Sequence, residues 1–373
     1  MKIAFVGLRG IPANYSGIER AVEEIGSGLA KMGHDVTVYC MKGRYEEKAS
    51  IYKGMKLRHI PTLRKKNLEM AIYTIISAIL CAISKYDIVH FQAIGPSTFS
   101  FIPRIFGKRV IVTVHSLDWK ARKWGPLAKL YLRIGEWTSI NFPHRTIVVS
   151  KSLKEYYKNK YKKKVTYISN GRNSPIIRQL SKTGKDYGIE SNKYLLFVGR
   201  LTKEKNVHIL IKAFKEIKTD MRLVIVGGSS YTEDYINYLN HIAADDGRVI
   251  FTGPIYNDNL EELYSNAYLF ILPSEYEGLP VVLLEAMSYG NVIVASDIPE
   301  NLEIIKKGDN ILGFPFKVGQ AQDLYRVLDD LINNPEKVNK LKSEIQRKVS
   351  NKYTWSDISE KIINLYREAL DHR

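Results

Sequence analysis

Lys193 to Asn206 reads KYLLFVGRLTKEKN, and the architecture of the whole chain turns on it. Five apolar residues, Tyr194 to Val198, end at Gly199 and pass straight into a basic loop. A short unbroken apolar run closed by glycine predicts a strand covered on both faces, as in a parallel sheet. The chain opens in the same manner, with KIAFVG over residues 2–7. The same design therefore begins twice.

Outward from Lys193, RLVIVGG (222–228), RVIFTG (248–253), AYLFILP (267–273) and NVIVAS (291–296) repeat the strand signal. Helices fit between them near 207–217, 232–244, 258–266 and 281–289. More helix is expected from Leu324 to Val349, and a last amphipathic helix from Trp355. Upstream, KIAFVG is followed by Ile18, Ala21, Val22, Ile25, Leu29 and Met32 at helical spacing. Then come DVTVYC (35–40), MKLRHI (55–60), an apolar helix 68–84, DIVHFQ (87–92), RVIVTVH (109–115), a helix near 126–140 and RTIVVS (145–150). Strand and helix alternate throughout, which predicts two doubly wound α/β domains. Breaker-rich Asn170 to Asn192 parts them as a linker. The expected domains are 1–172 and 193–352, with the helix 353–373 returning to the first. Ligands of open α/β sheets bind beyond the carboxyl ends of the strands, so a cleft faced by both sheets is the expected site.

At 373 residues, with 45% hydrophobic and 25% charged residues, the composition is that of an ordinary globular chain. It excludes a mainly disordered chain, a collagen-like repeat and a disulfide-stapled mini-protein. Cys40 and Cys81 have no metal-like spacing and read as buried small hydrophobes of a reducing compartment. No cleavable signal peptide is visible, and the apolar run Leu68 to Ser84, interrupted by Glu69, falls short of the ~20 residues that span a bilayer. The formal charge of +17 is lopsided: residues 1–180 hold 32 Lys/Arg against 11 Asp/Glu. That half is expected to meet an anionic surface.

Four motifs carry candidate chemistry. In EGLPVVLLEAMSYG (277–290), Glu277 lies in a loop and Glu285 about one turn into the next helix. The amides of Gly278 and Leu279 beside that helix start favour an anion such as phosphate. Carboxylates beside a phosphate must serve hydroxyls, and sugar or ribose hydroxyls suit them; a solvated cap glutamate and a helix-face glutamate are the plainer reading. In GRLTKEKN (199–206), Arg200 offers a fork and Lys205 a point charge, a pair suited to a diphosphate, or else a basic surface loop. In GLRGIPANYSGIER (7–20), glycines precede a helix whose start, Gly17, can offer an amide to phosphate; the spacing is not G-x-G-x-x-G. Finally, His115 closes a strand in TVHSLDWKARKWG, with Asp118 shortly after, and His90 in DIVHFQ is a weaker candidate of the same kind. A single histidine is as readily structural as catalytic. There is no D-x-D, H-E-x-x-H, G-x-S-x-G or G-x-x-x-x-G-K-[ST]. No metal site and no cofactor are expected.

Together these motifs resemble the retaining family 4 glycosyltransferases of the GT-B fold, over essentially the whole chain. The most specific part runs from SEYEGLPVVLLEAMSYG to VIVASDIPEN. RGIPANYSGIERAVEEI and HSLDWKARKWG are similar to bacterial members that build cell-surface polysaccharides, rhamnosyltransferases among them. The resemblance implies that Glu277 holds hydroxyls of the donor sugar and Glu285 those of the ribose. Arg200 and Lys205 would neutralise the diphosphate, and the amides of Gly278, Leu279 and Gly17 would complete the phosphate cradle. His115 would sit by the sugar's outer hydroxyls. The chain departs from the family pattern at Ser16-Gly17, where Gly-Gly is frequent, at Asn291 in place of proline, and at Glu300 in place of glycine.

The expected partners are a nucleoside-diphosphate sugar and a lipid-linked or glycan acceptor. Two basic-aromatic stretches, WKARKWGPLAKLYLR (119–133) and KSLKEYYKNKYKKK (151–164), suit an anionic membrane surface. A peripheral place on the cytoplasmic face of the cell membrane follows from that reading, and plain solvated helix faces are its alternative. No nucleic-acid reader motif is present. A nucleotide-sugar epimerase of similar build, and a non-enzymatic basic protein binding membrane or nucleic acid, are the competing readings.

Overall fold

The computed structural model describes residues 1–13, 16–43, 49–62, 68–121, 124–228, 232–307, 310–349 and 353–371. Asn14, Tyr15, Arg122 and Lys123, which belong to the motifs above, lie outside them. The chain forms two compact units, Met1–Gly171 with Tyr353–Arg373, and Arg172–Lys352.

In the first unit the strands are β1 (Lys2–Val6), β2 (Asp35–Met41), β3 (Ile51–Tyr52), β4 (Met55–Ile60), β5 (Ile88–Gln92), β6 (Arg109–Val114), β7 (Arg145–Val148) and β8 (Thr166–Tyr167). The helices are α1 (Gly17–Lys31), α2 (Glu69–Ile83), α3 (Ile94–Ser97), α4 (Phe101–Ile105), α5 (Pro126–Asn141) and α6 (Lys151–Tyr161). The sheet runs β3-β4-β2-β1-β5-β6-β7-β8, parallel except for the β3–β4 pair. Strand order reverses between β1 and β5, so the loops after these two strands diverge to opposite sides. The central strands are covered on both faces, and Ile3 to Val6 and Val110 to Val112 have no exposed surface.

Ser16 caps α1, its hydroxyl accepting from the Glu19 amide at 3.3 Å. Ala21, Val22, Ile25 and Leu29 form the buried face of that helix. Against it lies the last helix of the chain, α15 (Trp355–Asp371). Gly28 permits the approach, since a Cβ there would stand 2.5 Å from the Ser359 hydroxyl.

The second unit contains α7 (Lys182–Tyr187), β9 (Tyr194–Val198), α8 (Val207–Lys215), β10 (Arg222–Val226), α9 (Glu233–Ala243), β11 (Val249–Gly253), α10 (Asn257–Asn266), β12 (Leu269–Leu272), α11 (Val281–Ser288), β13 (Val292–Ser296), α12 (Pro299–Ile305), the hairpin β14 (Lys306–Lys307) and β15 (Asn310–Ile311), β16 (Gly313–Phe316), α13 (Ala321–Asn333) and α14 (Pro335–Val349). Its sheet runs β11-β10-β9-β12-β13-β16, all parallel. Order reverses between β9 and β12. β16 was not among the expected strands.

The stretch read as a linker is bound to the second unit for much of its length. Arg178 pairs with Glu261 at 2.5 Å and Asp258 at 2.9 Å, and its carbonyl accepts from Asn266. Glu262 collects the Ser181 amide and hydroxyl and the Thr183 amide. Its polar composition serves α10 rather than solvent. Among the described residues, no helix is long and apolar enough to cross a membrane.

Candidate active site

The switch point of the second sheet brings two sequence motifs to one edge. Gly199 follows β9, and the loop from it is pinned to the loop after β10. The Gly199 amide donates to the Val226 carbonyl at 3.0 Å and the Leu201 amide to that of Gly228 at 3.1 Å. Gly227 has φ +145°, and a Cβ there would lie 1.8 Å from the Gly199 carbonyl oxygen. Only glycine allows the two backbones to touch here. The sequence reading singled out Gly199 but not Gly227, although the GG closing RLVIVGG was a visible signal.

Past Gly199 the chain makes a short 3-10 turn over Lys203–Lys205 and enters α8 through Asn206 at φ +52°. The turn aims the Lys205 ammonium at the loop after β12, where Nζ donates to Glu277 Oε1 at 2.5 Å. The two side chains are 13% and 10% exposed, so the pair is largely withdrawn from water. A second tie joins the same loops, from the Glu275 amide to the Glu204 carbonyl at 2.8 Å. Lys205 and Glu277, 72 positions apart, are thus direct partners. Arg200 stands exposed on the same edge, and among the described residues its guanidinium has no acceptor.

Gly278 and the buried Leu279 lead through Pro280 into α11. Pro280 provides no side-chain cap, and the first amides of a helix have no partner within it. Positive potential therefore gathers beside Glu277. Glu285, the fifth residue of α11, is half-buried, and its carboxylate adds to burial in pushing the Tyr264 hydroxyl well above its usual range. Asn291 takes a structural part that proline could not: its amide donates to the carbonyls of Tyr264 at 2.8 Å and Ala286 at 3.1 Å. Glu300 lies in the first turn of α12.

In the first unit, Gly7 (φ +105°) lets the loop after β1 cross β5, because a Cβ would stand 2.7 Å from the Gln92 carbonyl oxygen. Glu23 of α1 steadies that loop, accepting from the Ala13 amide at 2.7 Å while pairing with Lys53 at 2.7 Å. Gly17 is the first residue of α1. His115 follows β6 and is 7% exposed, with Nε2 donating to Gln92 Oε1 at 2.8 Å. This bond leaves Nδ1 as the acceptor, and burial pushes the ring down to about 4, so it is neutral near pH 7. Gln92 was not foreseen. Asp118 accepts the Ser116 hydroxyl at 2.5 Å.

His90 is not at a strand end. It lies in the middle of β5, 1% exposed, between the Tyr366 hydroxyl at 2.6 Å and that of Thr113 at 2.7 Å. Burial and the neighbouring His115 push it down to about 3. Its ring fastens α15 to the sheet, and both ring nitrogens are occupied. The second reading given to it, as a site residue, is set aside on that ground.

Residues 15–174 match the model of glycosyltransferase family 4, and residues 182–348 that of glycosyl transferases group 1. The chain is a glycosyltransferase of the family 4 type. An uncharacterised glycosyltransferase of Methanocaldococcus jannaschii is 28% identical over 100% of this chain and 99% of its own. Among solved structures, this glycosyltransferase superposes on sucrose-phosphate synthase from Thermosynechococcus elongatus with a TM-score of 0.84 at 22% identity, covering both chains fully. It also superposes on Anabaena HepE in complex with UDP and glucose, with a TM-score of 0.84 at 18% identity, over 99% of this chain and 100% of that one. The fold of the glycosyltransferase is thereby GT-B.

Proposed function

We propose that the enzyme transfers a sugar, with retention, from a nucleoside-diphosphate donor to a lipid-linked or polysaccharide acceptor, and that it needs no metal ion. The observation that carries this reading is the withdrawn Lys205–Glu277 pair at the switch point, beside the uncapped start of α11. A carboxylate already neutralised by lysine can bind sugar hydroxyls close to a diphosphate without repelling it. Arg200, exposed on the same edge, adds the second positive charge, and the amides of Gly278 and Leu279 extend the cradle. Glu285 serves the ribose. The neutral His115, whose Nδ1 is an acceptor, suits a sugar hydroxyl. UDP and glucose in HepE support the donor class.

In the reaction, the bond from the anomeric carbon to the diphosphate oxygen breaks. The acceptor oxygen bonds that carbon on the same face, and its proton passes to the departing phosphate oxygen. Arg200, Lys205 and the helix-end amides meet the charge that grows on that oxygen, a role elsewhere given to a cation. The loop wording of the first unit supports cell-surface polysaccharide work of the rhamnosyltransferase kind, and the positive first half supports a site at the inner face of the membrane. Incubation with a panel of nucleotide sugars, with and without EDTA, tests the reading. Transfer that survives EDTA and a product keeping the donor's anomeric configuration are expected. Activity abolished by EDTA and restored only by Mg²⁺ or Mn²⁺ would overturn the metal-free mechanism.

A further inference from the structure

Helix α5 has two unlike sides. Leu132, Gly135, Glu136, Ser139 and Ile140 are buried against the first unit. Leu127, Leu130, Ile134 and Trp137, spaced by three, four and three residues, form a single stripe on the other side and are 84, 56, 46 and 50% exposed. The stripe continues onto α4. Trp137 meets Phe142 edge-on at 5.6 Å, and Phe142 lies 5.7 Å from Phe101, the first residue of α4. One turn on, Ile105 and Phe106 are 75 and 61% exposed. An apolar surface of this extent marks a partner.

Charge identifies the partner. Residues 88–135 hold eight Lys/Arg and one acid, Asp118. Arg104 and Arg133 are exposed beside the stripe. The one acid of α5, Glu136, is fully buried and accepts from Trp119 at 2.8 Å, Tyr156 at 2.9 Å, Lys160 at 2.7 Å and Tyr161 at 2.8 Å. That cage also ties down the hydroxyls of the half-buried Tyr156 and Tyr161, and Tyr157 is buried, so the second basic-aromatic stretch presents chiefly lysines. A second copy of the chain would set Arg104 and Arg133 against like charges, with no exposed acid on α4 or α5 to relieve them. Lipid phosphates relieve them directly.

We propose that the α4–α5 face docks on an anionic phospholipid bilayer, the stripe entering the headgroup boundary while Arg104 and Arg133 meet lipid phosphates. The proposal rests on the membrane-side acceptor reading above and names the surface that serves it. Co-sedimentation of the full chain with phosphatidylglycerol/phosphatidylcholine vesicles tests it without donor or acceptor, so failed sugar transfer leaves the result readable. Binding to these vesicles, weakening with salt, and little binding to pure phosphatidylcholine are expected. Leu127→Ser/Leu130→Ser/Ile134→Ser should release the protein, and Arg104→Glu/Arg133→Glu should weaken binding about fivefold or more per residue. Lys154→Glu/Lys158→Glu on α6 should weaken it far less. All seven positions are exposed, and unchanged melting curves would show that each variant folds. Loss of binding in the α6 variant alone would overturn the proposal. So would a wild-type dimer in light scattering that the triple serine variant converts to monomer.

Discussion

At the scale of single residues, the pairing of Lys205 with Glu277 makes their effects inseparable. Truncating either leaves the other charge largely withdrawn from water and unmatched. Lys205→Ala and Glu277→Gln should each lower kcat, and the double variant should lose much less than the product of the two losses. Steady-state kinetics of the four-member cycle checks this; multiplicative losses would mean that the two side chains act separately. Among the described residues Arg200 has no such tie. In the proposed role it meets charge that grows in the transition state, so Arg200→Ala should cost roughly 10²–10³ in kcat with a smaller change in donor KM. Glu285→Gln should instead raise donor KM, because ribose is bound alike in ground and transition states. Intact kcat in Arg200→Ala together with lost kcat in Glu285→Gln would reverse the roles assigned to them.

At the scale of elements, the site depends on loops held together at the carboxyl ends of neighbouring strands. Gly227→Ala forces a methyl onto the Gly199 carbonyl at a φ that L side chains rarely adopt, so the Gly199–Arg200 backbone must move. A stability loss of about 1–3 kcal/mol and weaker nucleotide binding are expected. Gly247→Ala, with nothing within 4 Å, should be neutral. Thermal melts and calorimetric titration with UDP compare the two. The long strands of both sheets were legible because each is an unbroken apolar run. β16 was not, since Gly313 and Pro315 interrupt its four residues and it lies at the sheet edge. The motifs after β9 and β12 could be read as belonging to one sheet edge. Their contact could not, because residues 72 positions apart meet only through the strand order. His90 misled for a related reason: the position of a histidine in a strand is visible, but Tyr366, 276 positions away, is what fills its ring nitrogen.

At the scale of the whole molecule, acid should act on the two units in turn. In the first, burial pushes His90 and His115 down to about 3 and about 4, and His144, flanked by Arg104 and Arg109, to about 4. The unfolded chain protonates histidine near 6.5. Above that pH both states are neutral and the stability is complete. Between about pH 6.5 and 4 the unfolded state takes up protons that the folded state refuses, so stability falls with pH, by up to ~1.4 kcal/mol per unit for each buried histidine. In the second unit burial pushes His208 down, helped by Lys212, but further acid-sensitive ties are carboxylates. Arg248 holds Asp246 below the usual range; burial pushes Glu262 up, but its bonds from Ser181 and Thr183 outweigh this and hold it low. Their contribution is complete above the unfolded carboxylate range and is lost only as pH falls below it. Hydrogen exchange at pH 7.5 and pH 5 should therefore show amides of β5 and β6 losing protection while those of β9, β10 and β12 keep theirs. His115→Asn should flatten the loss in the first unit, because one of its titrating rings is gone. Equal loss of protection in both sheets at pH 5 would refute this ordering.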